Sequence, residues 1–125
     1  MHVSVLKMRE PVYVNHDRVH QLNRQLGEET TRSILTRAIE EAAVRLEHIA
    51  RTHASAALDE MTRCTRSLIG ISDQIGLDTL TMVADDVLAC LESCDTVATA
   101  ATTARLLRIG EGSLREICDL QGLPR

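Results

Sequence analysis

Arg66-Ser67-Leu68-Ile69-Gly70, followed by Gly76, is the stretch from which the rest of the chain can be read. It sits in a run that places Leu58, Met61, Thr65, Leu68, Ser72 and Ile75 at steps of three and four. That spacing marks the inner face of an α-helix, predicted from about Ser55 to about Ile75. At about 100° per residue, Asp59, Arg63, Arg66 and Gly70 fall on the opposite face. An exposed glycine inside a helix costs roughly 1 kcal/mol relative to alanine. Gly70 therefore needs a reason. Close packing against a neighbour is one, and clearance for a partner's backbone is another; the outward phase favours clearance.

Working outward, the remainder also reads as helices joined by short breaks, with no strand alternation of useful length. Before this helix, a longer one is expected from about Glu28 to about His53, with Leu35, Ile39, Ala42, Leu46 and Ile49 on its apolar stripe. Pro11 closes an N-terminal arm over residues 1–14. Asn15 then caps a short first helix bearing Val19, Leu22 and Leu26, which Gly27 ends. After Gly76, Asp78 begins a fourth helix with the stripe Leu80, Ala84, Val87 and Leu91. Asp95 or Thr96 caps the last helix. Its stripe is read as Val97, Ala101, Ala104, Leu107, Leu114, Ile117 and Leu120, with a kink or fray at Gly110 and Gly112 and a stop at Gly122 and Pro124. Breaks this short make neighbouring helices antiparallel.

The chain has 125 residues, one domain's worth, over 1–125. It has no Phe, no Trp and one tyrosine, Tyr13, so its core is aliphatic, which suits helix-on-helix packing. A net charge of -4 and the lack of stacking aromatics give no reason to expect nucleic acid. No apolar run reaches membrane-spanning length, and Met1 to Pro11 holds no secretory h-region, so a cytoplasmic location is expected. Cys64, Cys90, Cys94 and Cys118 contain no Cys-x-x-Cys. Cys90 and Cys94, one turn apart on one helix, would supply half a metal site at most, so buried free thiols in a reducing compartment are expected and no metal or cofactor.

The central stretch resembles the phosphoacceptor helix of histidine phosphotransfer (HPt) domains. Those domains carry His-x-Leu-Lys-Gly with a second glycine six residues after the first. Leu68, Gly70 and Gly76 stand in the matching places, Arg66 takes that of the histidine and Ile69 that of the lysine. The resemblance covers most of the chain. Pro11-Val12-Tyr13-Val14-Asn15 and Leu26-Gly27-Glu28-Glu29 look like the family's opening, and Arg45-Leu46 and Gly76-Leu77 follow in its order and spacing. It implies an antiparallel four-helix bundle with a short additional N-terminal helix. It also implies partners from two-component signalling, a response-regulator receiver domain or a histidine kinase. It does not imply catalysis. A guanidinium stays protonated and has no lone pair free to attack phosphorus, so Arg66 cannot carry a phosphoryl group as an imidazole does.

The expected function is thus non-catalytic, a binding role for the face around Arg63, Arg66, Ile69, Gly70 and Asp73. Arg66 can meet a carboxylate in a bidentate contact. Gly70 gives clearance, and Ile69 either widens the core or adds an apolar spot beside them. Arg63 and Asp73 are flanking charges, and Gly76 only ends the helix. One alternative is an active carrier using a displaced histidine. His16 and His20 read as a solvated pair, and His53 as a boundary residue near the end of the second helix, where His48 also lies; none has the Leu-x-Gly context. Another is a structural bundle that self-associates, for instance as a homodimer. Asp85-Asp86 points its carboxylates different ways on a helix and makes no dyad, and no phosphate loop or His-Glu-x-x-His is present.

Overall fold

A computed structural model describes residues 10–123. Five α-helices account for most of them: α1 (His16–Leu26), α2 (Glu28–Ala54), α3 (Leu58–Gln74), α4 (Asp78–Glu92) and α5 (Thr96–Gln121). There is no strand among the described residues, and no described helix is long and apolar enough to cross a membrane. Residues 1–9 of the arm and Pro124 lie outside the described residues.

The helices pack in a closed cycle. α2 packs on α3, α3 on α4, α4 on α5, and α5 returns to α2, while α1 lies against α2. Side-chain contacts run in opposite sequence directions across α2–α3 and across α3–α4. Arg45 and His48 of α2 meet Ser67 and Cys64 of α3, each pair equidistant from Ala56 in the turn between. Ser72 meets Thr81, and Arg66 meets Glu92. The shared core holds Leu35, Ile49, Met61, Leu68, Ile75, Leu77, Leu80, Leu106 and Ile117, all almost fully buried and none aromatic.

Four of the helix ends use one device. After α2, α3, α4 and α5 the chain turns through a left-handed residue, Ala56 (φ 56°), Gly76 (φ 79°), Cys94 (φ 58°) and Gly122 (φ 63°). The next amide then bonds back to a carbonyl five residues earlier: Ala57 to Thr52, Leu77 to Ser72, Asp95 to Cys90 and Leu123 to Cys118. This satisfies carbonyls that a helix end leaves open. At the other ends, Asn15 Oδ1 accepts from the Arg18 amide at 3.2 Å, and the Asp95 carboxylate accepts from the Ala98 amide at 3.0 Å.

Several expectations require correction. α3 starts at Leu58 rather than Ser55, and Leu58 is half exposed. Leu26 is also exposed, as the last residue of α1. The stripe of α5 is rotated from the one expected. Val97 is 79% exposed, Ala101, Ala104 and Leu120 are also exposed, and Leu107 and Leu114 are only partly buried. The buried set is Thr99, Thr103, Leu106, Ile109, Gly110, Ser113, Ile117 and Cys118. At Gly110 the inward residue is small because α5 lies close to α2 there. A Cβ at Gly110 would stand 2.6 Å from Leu46 Cδ1. Gly110 is thus a contact residue, and α5 runs unbroken through it. Cys94 lies beyond the end of α4, so it shares no helix with Cys90.

Gly76 also does more than end α3. Its carbonyl accepts from the Asn15 amide at 2.7 Å, and a Cβ there would meet Asn15 O at 2.9 Å. Tyr13 donates its amide to Thr79 Oγ1, Asn15 Nδ2 to Asp78 Oδ2, and Arg18 Nε to the Gln74 carbonyl. The arm and the start of α1 are tied by these bonds to the α3–α4 turn.

Candidate functional site

The outer side of α3 is set by its inner side. Met61, Thr65, Leu68 and Ser72 are fully buried. Helical phase then turns Arg63, Arg66, Gly70 and Asp73 outward, and all four are exposed. Their spacing of three, four and three makes one continuous stripe with a cation one turn before the glycine. Ile69 lies at the stripe's edge, half-buried and packed against the core cluster, so it widens the core contact.

Gly70 is the open point of the stripe. A Cβ built on it meets nothing within 4 Å. Close packing is therefore not the reason for this glycine, in contrast with Gly110. The helix carries the propensity cost of a glycine where an alanine would fit without a clash.

Arg66 is not a lone charge. Its Nη2 lies 3.5 Å from Glu92 Oε1 at the end of α4, and both side chains remain about three-fifths exposed. An ion pair this open contributes about 0–1 kcal/mol. Such a contact holds the guanidinium over the α3–α4 groove yet yields readily to a competing carboxylate. Next to it, the half-buried Ser67 hydroxyl accepts from Arg45 Nε at 3.0 Å, which ties α2 to this part of α3.

No histidine lies on the stripe. His16 and His20 are exposed on α1, and His53 is half-buried near the end of α2. His48 is held at both ring nitrogens, by Glu60 Oε1 at 2.8 Å and by Cys64 Sγ at 3.3 Å. Among the described residues no group of three or more His, Cys, Asp or Glu is placed to hold a metal. Cys64 and Cys118 are buried, whereas Cys90 is only partly buried and Cys94 is exposed, against the expectation that all the thiols are buried. The stripe can present charge, hydrogen-bond donors and a flat spot, and the described residues place no imidazole on it.

Glu92 escaped the reading of the sequence because its partner is 26 positions away on another helix. The Cys64–His48–Glu60 contact escaped for a similar reason. Glu60 and Cys64 are one turn apart on α3, but only the position of the α2–α3 turn sets His48 opposite them. Comparison with family models, with curated proteins and with solved structures finds no match to this chain.

Proposed function

We propose that the chain is a non-catalytic, HPt-like signalling domain of a two-component or phosphorelay system. In this reading α2 to α5 form an antiparallel four-helix bundle, with α1 as the short additional helix. The outer stripe of α3 binds a receiver domain, or the corresponding surface of a histidine kinase. Gly70 carries the proposal: a helical glycine with open space around it, one turn from an exposed arginine, is unexplained by packing and suits a surface that another backbone approaches. The cyclic packing of α2 to α5 and the pairwise opposed contacts support the bundle. Arg66 in place of a nucleophile supports binding without transfer.

On docking, Arg66 exchanges Glu92 for a carboxylate of the partner's acidic pocket. The guanidinium can bond that group through two parallel N–H donors. Arg63 adds positive potential along the approach, which acts on the rate of encounter more than on the final affinity. Bound in this way, the domain would sequester a receiver or compete with a true carrier.

The test is titration of the intact chain against purified receiver domains by calorimetry. Saturable binding is expected, with a loss of at least about tenfold for Arg66→Glu and for Gly70→Leu; tenfold corresponds to about 1.4 kcal/mol. Equal binding by both variants removes the proposed surface. Acid-labile phosphate on the chain after incubation with a phosphorylated receiver would replace this reading by that of an active carrier.

A further inference from the structure

Outside the α3 stripe, three side chains converge at the α2–α3 seam. Cys64 Sγ lies 3.3 Å from His48 Nδ1, and His48 Nε2 lies 2.8 Å from Glu60 Oε1. An ionised carboxylate accepts a hydrogen bond and does not donate one, so the proton of the neutral imidazole rests on Nε2. The lone pair on Nδ1 then points at the thiol. This is the order of nucleophile, base and orienting acid that activates a thiol for attack.

We propose that Cys64 is a site of oxidation by small hydroperoxides, with His48 as its base and Glu60 as the positioning residue. Access selects the class of reagent. Cys64 is 8% exposed, and the His48 and Glu60 side chains in the same chain of contacts are 33% and 47% exposed. Two surface clefts lie away from it. One lies between α4 and α5 against Cys90 and Arg105, and the other lies along the first half of α2 around Arg32 and Glu40. A hydroperoxide is small enough to need only a path to one sulfur.

The step balances with a hydroperoxide as the oxidant. Cys64 Sγ gives its proton to His48 Nδ1 and attacks the terminal peroxide oxygen. The S–O bond forms as the O–O bond breaks. The departing hydroxide or alkoxide takes the proton back from His48 and leaves as water or alcohol. Sulfur loses two electrons, the peroxide gains them, and Cys64 becomes a sulfenic acid. Because Cys64 belongs to the core cluster, the added oxygen falls at the edge of the α2–α3 packing.

The experiment exposes the intact chain to hydrogen peroxide, traps sulfenic acid with dimedone, and quantifies each cysteine-containing peptide by mass spectrometry. Cys64 is expected to react at least about tenfold faster than the exposed Cys94, in reverse order of accessibility. His48→Gln should reduce the Cys64 rate about tenfold with helicity retained. Glu60→Gln, a change at an exposed side chain, should alter the pH dependence of the Cys64 rate, a readout that a packing role would not move. Reaction led by Cys94 overturns the proposal. So does an unchanged Cys64 rate in a folded His48→Gln variant. Should that variant lose its helicity, an unaltered pH–rate curve for Glu60→Gln overturns it instead.

Discussion

Two helical glycines, Gly70 and Gly110, should respond to the same substitution with opposite signs. Gly70→Ala gains helix propensity of roughly 1 kcal/mol and meets no atom within 4 Å, so the protein should be stabilised by about that amount. Gly110→Ala has the same gain. Its new Cβ, however, would stand 2.6 and 2.8 Å from the Leu46 methyls and 3.2 Å from Leu46 Cγ. Leu46 is nearly buried and cannot swing into water, so it must leave its rotamer or push α5 away from α2. Overpacking of this kind costs about 1–3 kcal/mol, which leaves a net loss near 1 kcal/mol. Urea unfolding followed by circular dichroism measures both, and a change of 1 kcal/mol moves the melting temperature by about 4 °C in a domain of this size. Leu46→Ala alone should cost about 2–5 kcal/mol. Combined with Gly110→Ala, the loss should fall short of the sum by about 1 kcal/mol, since the new methyl fills part of the cavity. Equal stabilisation by Gly70→Ala and Gly110→Ala, or strict additivity with Leu46→Ala, would refute the packing argument. It would also remove the contrast on which the role of Gly70 rests.

The helix ends and the ion pair give further expectations. Ala56→Gly should stabilise by about 0.5–1 kcal/mol, because glycine adopts a positive φ without the steric penalty that alanine carries there; chemical unfolding checks it. Gly76→Ala should destabilise by about 2 kcal/mol or more, since it joins a strained φ to a clash with Asn15 O, and hydrogen exchange should show the start of α1 opening first. Glu92→Gln should change stability by less than about 1 kcal/mol, as the Arg66 pair is exposed. In the proposed function it should raise affinity for an acidic receiver surface several-fold, because Arg66 no longer has a competing partner; calorimetry reads this directly.

The sequence carried the helices wherever stop signals were chemical and local. Asn15 and Asp95 cap as their side chains suggest, and Gly27, Gly76 and Gly122 stand at breaks. The turn at Ala56 was hidden because alanine is a helix former, and only the packing of α2 on α3 forces it into the left-handed region. The face of α5 was misread for a related reason. Apolar periodicity favoured Val97, Ala101 and Ala104, whereas the buried face carries Thr99, Thr103, Gly110 and Ser113, with Gly110 set by the close approach of Leu46 on α2. Helical phase alone placed Arg63, Arg66, Gly70 and Asp73 on one exposed stripe. What lies across a helix boundary was not legible, whether Glu92 opposite Arg66 or His48 opposite Cys64, because register between helices depends on turn positions that sequence leaves uncertain by a few residues.

The claim that the α3 stripe is a docking surface is tested most directly by amide chemical shifts of the chain during titration with a receiver domain. Perturbations are expected to concentrate from residue 63 to residue 73, strongest around Arg66 and Gly70, with Glu92 moving as its ion pair opens. Perturbations centred on α1 or α5, or no change at any accessible concentration of receiver, would contradict it.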